Sequence, residues 1–245
     1  CHGVTGDGLG AAAGTASDTG ERVDYLDPRP RDYRLGKFKF TSTPRGYKPR
    51  RSDLARIIRY GARGTSMPAF RWLSNEDLEP LIDYVILLSQ RGELEQMLLD
   101  EAEYELEEED EFDPEYVAEY VTDIQASWAD AANNVVLPVT RRPPYTDESI
   151  LAGRQIYLDR ACAKCHGQDG KGNPKEDVGK DDWGQTAFAA DLSAGMLHGG
   201  RRPIDIYRRI YAGINGTPMP AFGDALAEEP DTMWHLVHYI MSIVE

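Results

Sequence analysis

Cys162-Ala163-Lys164-Cys165-His166, with Met219 in Gly216-Thr217-Pro218-Met219-Pro220-Ala221-Phe222 lying 53 residues beyond the histidine, decides how this chain is read. Cys-x-x-Cys-His is the pattern of covalent c-type haem attachment. Two thiols at that spacing add to the two vinyl groups of one porphyrin, and the histidine that follows reaches the iron. A thioether on the opposite side of the iron completes a His/Met ligand pair, which raises the reduction potential. Zinc is the competing reading of Cys-x-x-Cys, but it needs a second pair of ligands. The chain has three cysteines and no second complete pair.

The same pattern recurs. The chain opens Cys1-His2-Gly3 and later contains Gly64-Thr65-Ser66-Met67-Pro68-Ala69-Phe70. Asp53 to Met67 aligns with Asp205 to Met219 without a gap, matching Arg56/Arg208, Ile58/Ile210, Gly61/Gly213 and Thr65/Thr217. An internal repeat sets the number of structural units, here two. Cys1-His2 then reads as the tail of a second attachment motif whose first cysteine lies upstream. On this reading the three thiols are one pair and half of another.

Both halves resemble class I cytochrome c domains, and the whole resembles a dihaem cytochrome c. The resemblance implies an all-α fold: two tandem domains, residues 1–90 and 147–245, joined by an acidic helical insertion with a proline-containing linker at 91–146. The first domain would lack its N-terminal helix. The resemblance also implies two covalently attached haem c groups. Cys1, Cys162 and Cys165 would be the thioether carriers, His2 and His166 the proximal iron ligands, and Met67 and Met219 the distal ones. His198 is a rival for the sixth ligand of the second half, and the repeat favours Met219. Haem is attached outside the cytoplasm in this family, so the location implied is periplasmic or equivalent, with room for an N-terminal anchor ahead of Cys1.

The 41% hydrophobic content fits a globular protein. No run of 18 apolar residues exists, so no membrane span lies within the chain. The net charge of −15 is uneven. Residues 1–90 hold 14 Lys/Arg against 11 Asp/Glu, residues 91–150 hold 3 against 18, and residues 151–245 hold 10 against 13. The acidity therefore lives in the middle segment, which reads either as a solvated face or as a landing surface for a basic partner.

Glycine-rich loops follow each histidine: Gly3 to Gly10, and Gly167 to Gly172. Neither lies between a strand and a helix, so a phosphate-binding loop is disfavoured. Residues 27–52 interleave bases with Phe38, Phe40 and Tyr47. Aromatics folded over a haem and arginines neutralising its propionates fit this stretch better than nucleic-acid binding. Ser52 or Asp53, and Asp205, read as helix starts, with Gly61 and Gly213 as stops. Closing helices are expected at Asn75–Ser89 and Pro230–Val244. Two more are expected in the insertion: an acidic one fraying at Glu107–Glu111, and one opened by Asp113-Pro114 with a Val117, Val121, Ile124, Trp128 stripe. His235 and His238 read as surface or packing residues.

Six-coordinate irons leave no place for substrate. The expected function is therefore electron relay between redox partner proteins, a donor and an acceptor, without catalysis. The alternatives are a dihaem oxidoreductase such as a peroxidase, which needs one open iron, and a cytochrome subunit of a larger respiratory or dehydrogenase complex.

Overall fold

A computed structural model of the protein describes residues 1–16, 22–104, 111–172, 177–227 and 229–244. It is mostly helical. The chain divides into two compact units: Cys1–Phe38 with Tyr47–Asn134, and Lys39–Gly46 with Val135–Glu245. No helix among the described residues is long and apolar enough to cross a membrane.

The first unit opens with the glycine loop and a short antiparallel pair, β1 (Gly14–Ala16) and β2 (Arg22–Asp24), in register Thr15 opposite Val23. Helix α1 (Arg51–Tyr60) starts two residues before Asp53, so neither Ser52 nor Asp53 is its cap. Arg50 is the N-cap, and Asp53 sits in the first turn, where its carboxylate accepts the Arg50 N–H at 3.2 Å. Helix α2 runs unbroken from Asn75 to Tyr104, so the boundary expected at residue 90 falls inside a helix. Gly92 looks like a break, yet it is a packing position: a Cβ there would lie 2.3 Å from the Cα of Arg34. Helix α3 (Pro114–Asp130) begins as expected, with the Asp113 carboxylate accepting the Glu115 N–H at 2.8 Å. Its stripe buries Ile124 and Trp128 against Leu54, Leu78 and Ile82. The acidic segment therefore packs with the basic half. Lys48 pairs with Glu93, and Trp128 Nε1–H donates to Glu93 at 3.0 Å. The fraying expected at Glu107–Glu111 lies, apart from Glu111, outside the described residues.

In the second unit, α4 (Asp147–Asp159) is capped by Thr146 and leads into the short α5 (Cys162–His166) through Ala161, whose φ is +62°. A hairpin follows, β3 (Asp177–Lys180) with β4 (Thr186–Phe188). Then come α6 (Pro203–Ala212) and α7 (Pro230–Ile243). Among the described residues the two hairpins are the departure from an all-α fold: each is only a few residues long, the first lying ahead of α1 and the second between α5 and α6, and neither builds a sheet core. The core packs Tyr157, Tyr207, Trp234, Leu236, Val237 and Ile240. Helices α4 and α7 cross at Gly153, where a Cβ would meet the His235 carbonyl oxygen at 1.9 Å. Ser149 Oγ lies 2.7 Å from His235 Nδ1 and 2.6 Å from His238 Nδ1, and His238 is fully buried. These two histidines thus stitch the helix crossing.

Candidate haem-binding sites

The two histidines are held alike. His2 Nδ1 lies 2.9 Å from the Arg31 carbonyl, and His166 Nδ1 lies 3.1 Å from the Ala190 carbonyl. A carbonyl oxygen only accepts, so Nδ1 carries the proton in both rings. The lone pair is then on Nε2, the tautomer a metal needs, oriented by a partner on its far side. Burial pushes both imidazoles below their ordinary pKa, which keeps them neutral as ligands must be. Tyr33 adds to the first site: its ring stacks on His2 at 4.6 Å and 15°.

The loops behind the histidines also agree. Gly8 N–H donates to the His2 carbonyl at 2.9 Å, and Gly172 N–H to that of His166 at 2.8 Å. The Gly6 carbonyl accepts from Tyr33 N–H and the Gly170 carbonyl from Leu192 N–H, both at 2.7 Å. Gly6 and Gly170 have φ of +78° and +79°, a conformation side chains resist. A Cβ on Gly6 would meet Leu88 of α2, and one on Gly170 would meet Ile243 of α7.

The methionine loops match atom for atom. Thr65 Oγ1 donates to the Ala62 carbonyl at 2.7 Å and accepts the Met67 N–H at 3.2 Å. Thr217 Oγ1 donates to the Ile214 carbonyl at 2.8 Å and accepts the Met219 N–H at 3.3 Å. Phe70 N–H closes one loop on the Ile58 carbonyl, and Phe222 N–H the other on that of Ile210, at 3.1 and 3.0 Å. Gly61 and Gly213 make the closure possible: a Cβ there would sit 2.6 Å from the Met67 carbonyl oxygen and 2.7 Å from that of Met219. Both methionines are half-buried.

Cys162, Cys165 and His166 share α5, and none of the three cysteines forms a disulfide. Burial pushes the Cys162 thiol up from its ordinary pKa. Cys1 and His2 line an open cavity of about 490 Å³ together with Gly3, Val4, Leu9 and Gly10. Val4 is 87% exposed there. Cysteines outside any disulfide, neutral imidazoles with Nε2 presented, and an apolar lining fit a covalently bound porphyrin. Among the described residues no three His, Cys, Asp or Glu side chains gather as a metal site.

In the second unit one hairpin reaches both candidate ligands. Ala190, two residues past β4, supplies its carbonyl to His166, and the hairpin's turn attaches to the methionine loop through Asp182 N–H to the Gly216 carbonyl at 3.0 Å. The aromatics and Arg45 of the basic stretch have these protein neighbours. Phe38 packs between Tyr33 and Trp128, Phe40 lies against Arg209 and His198, and Tyr47 is 41% exposed. Arg45 is turned to backbone carbonyls, donating to those of Met219 and Thr217. Nothing in the local pattern marks Arg45; Gly153, a lone glycine inside a helical period, is the kind of signal that marks a close approach.

Residues 150–243 match the cytochrome c family. They form a cytochrome c domain. Membership implies covalently bound haem c, and with it a role in electron transfer. A chain of the reducing HAO-like protein complex Kustc0457/Kustc0458 of Kuenenia stuttgartiensis is similar over the whole length. The two share 30% identity with a TM-score of 0.70, over 100% of this chain and 90% of that one. No curated protein matches the chain.

Proposed function

We propose that this cytochrome c holds two haems and relays single electrons as a subunit of a larger oxidoreductase assembly in the periplasm or an equivalent space. His2 and Met67 would hold one iron, and His166 and Met219 the other; Cys1, Cys162 and Cys165 would be the thioether carriers. Such haems exchange electrons through the porphyrin edge and make no bonds to substrate. The protein's part is to keep both imidazoles neutral and oriented, to close both methionine loops, and to exclude competing ligands.

One observation carries the two-haem reading. The His2 and Met67 segments repeat the hydrogen bonds of the His166 and Met219 segments, down to Nδ1 donation, glycine turns and threonine brackets. The subunit reading rests on the similar chain, which belongs to a protein complex. The acidic helices, packed onto the first unit, are the surface it would offer to a basic neighbour.

The test is haem content with ligand replacement. Two haems per chain are expected. Met67→Ala and Met219→Ala should each remove part of the far-red charge-transfer absorption of iron–thioether ligation and open one site to carbon monoxide. One haem per chain would refute the dihaem reading. Ready carbon monoxide binding by the unaltered reduced protein would favour an oxidoreductase with an open iron.

A further inference from the structure

Tyr33 and Leu192 hold equivalent places behind the two glycine loops, and Asp53 and Asp205 equivalent places at the helix starts. Yet 20 positions separate the first pair and 13 the second. The extra length coincides with Lys39–Gly46, the segment that belongs to the second unit although its neighbours in the chain belong to the first. Its backbone is firmly seated there. Arg209 donates to the Lys39 carbonyl at 2.9 Å and to that of Thr41, and the Ser42 carbonyl accepts the Val136 N–H at 2.8 Å. Lys39 Nζ pairs with Asp181 at 2.9 Å, on the turn of the β3–β4 hairpin. Thr41, Ser42 and Thr43 are 4%, 3% and 0% exposed.

From this seat the segment reaches the methionine loop at alternate residues. Arg45 Nη1 donates to the Met219 carbonyl at 2.6 Å and Nη2 to the Thr217 carbonyl at 2.9 Å. Gly46 N–H donates to Asn215 Oδ1 at 2.9 Å. A guanidinium bridging two carbonyls is a charge-assisted, two-point clamp. A loop that must keep a weakly bound sulfur in place loses that ligand whenever it opens, and each outside anchor lowers the population of open states.

We propose that Arg45 is a positioning residue for the Met219 ligand, with Lys39–Gly46 acting as a clamp built from the first half of the sequence to hold the second half's iron-binding loop closed. This rests on the His/Met reading of the second site.

The experiment uses haem-loaded protein carrying Met67→Ala, so that the far-red band reports Met219 alone. Arg45→Gln and Arg45→Lys are added, and the band is titrated with imidazole. Arg45→Gln should lower the half-displacing concentration about tenfold, the loss expected for charge-assisted bonds at a partly open surface. It should also speed amide exchange at residues 215–219. Arg45→Lys, which keeps the charge and one donor at a time, should fall between. Unchanged displacement and exchange in both variants, with the band present, would overturn the clamp alone. If the band is missing before Arg45 is touched, the His/Met reading falls and takes the proposal with it.

Discussion

Replacing Gly153 with alanine should destabilise the second unit, although alanine is the better helix former. In an open helix the exchange gains about 1 kcal/mol. Here the new Cβ would lie 1.9 Å from the His235 carbonyl oxygen, 2.5 Å from its carbon and 2.9 Å from the Tyr239 Cβ. Bringing the first contact to 3.0 Å parts α4 and α7 by about 1.1 Å. The obstacle is backbone, so no rotamer change relieves it, and overpacking of this kind costs about 3 kcal/mol at the upper end. The separation also stretches the Ser149 bonds to His235 and His238, now 2.7 and 2.6 Å, at about 1 kcal/mol for the pair. The net expectation is a loss of about 3 kcal/mol. Guanidinium unfolding of the haem-loaded protein, followed by far-ultraviolet circular dichroism, measures it. Gly184→Ala is the comparison: its φ is +75° but nothing lies within 4 Å, so only backbone strain of about 1 kcal/mol applies. A Gly153→Ala protein as stable as the parent would show that the helices do not cross so closely.

Gly213→Ala, with a φ of +66° and a Cβ 2.7 Å from the Met219 carbonyl oxygen, should weaken the far-red band of the second site; Gly61→Ala should do the same for the first. Band intensity against haem content checks both. Thr217→Val removes the hydroxyl between the Ile214 carbonyl and the Met219 amide, and should ease displacement of Met219 by imidazole by about fivefold. The buried His238 has its pKa lowered, by desolvation first and then by the charges of Arg142 and His235. Its folded pKa lies below its unfolded value near 6.5, so the unfolded state takes the proton first and stability falls as pH drops through that value. The slope contributed is at most about 1.4 kcal/mol per pH unit, and denaturation midpoints from pH 7 downward should be flatter in His238→Gln.

What could be read from the sequence was whatever repeats or caps. Asp53 and Asp205, Gly61 and Gly213, and the two threonine–methionine loops announce themselves because each needs one residue type at one place. Long-range placement left no such mark. Lys39–Gly46 looks like any basic, turn-rich loop, and only the folded chain assigns it to the second unit. Helix α2 reads as two elements, one closing at Ser89 and one acidic, because the acids imitate a solvated run, whereas Gly92 admits Arg34 and Glu93 pairs inward with Lys48. The same local view does not reveal the protein neighbours of Phe38, which are Tyr33 and Trp128, or of Phe40, which are Arg209 and His198.

The β3–β4 hairpin has a consequence for rate. One strip of backbone, the hairpin and the residues that leave it, touches both the His166 ring and the Met219 loop, so motion of one candidate ligand is coupled to motion of the other. If His166 and Met219 hold one iron, as proposed, a change of oxidation state would have to move the ring and the loop together. A relay built this way would spend little energy on rearranging its own ligands at each transfer, and would work on a slight difference in driving force.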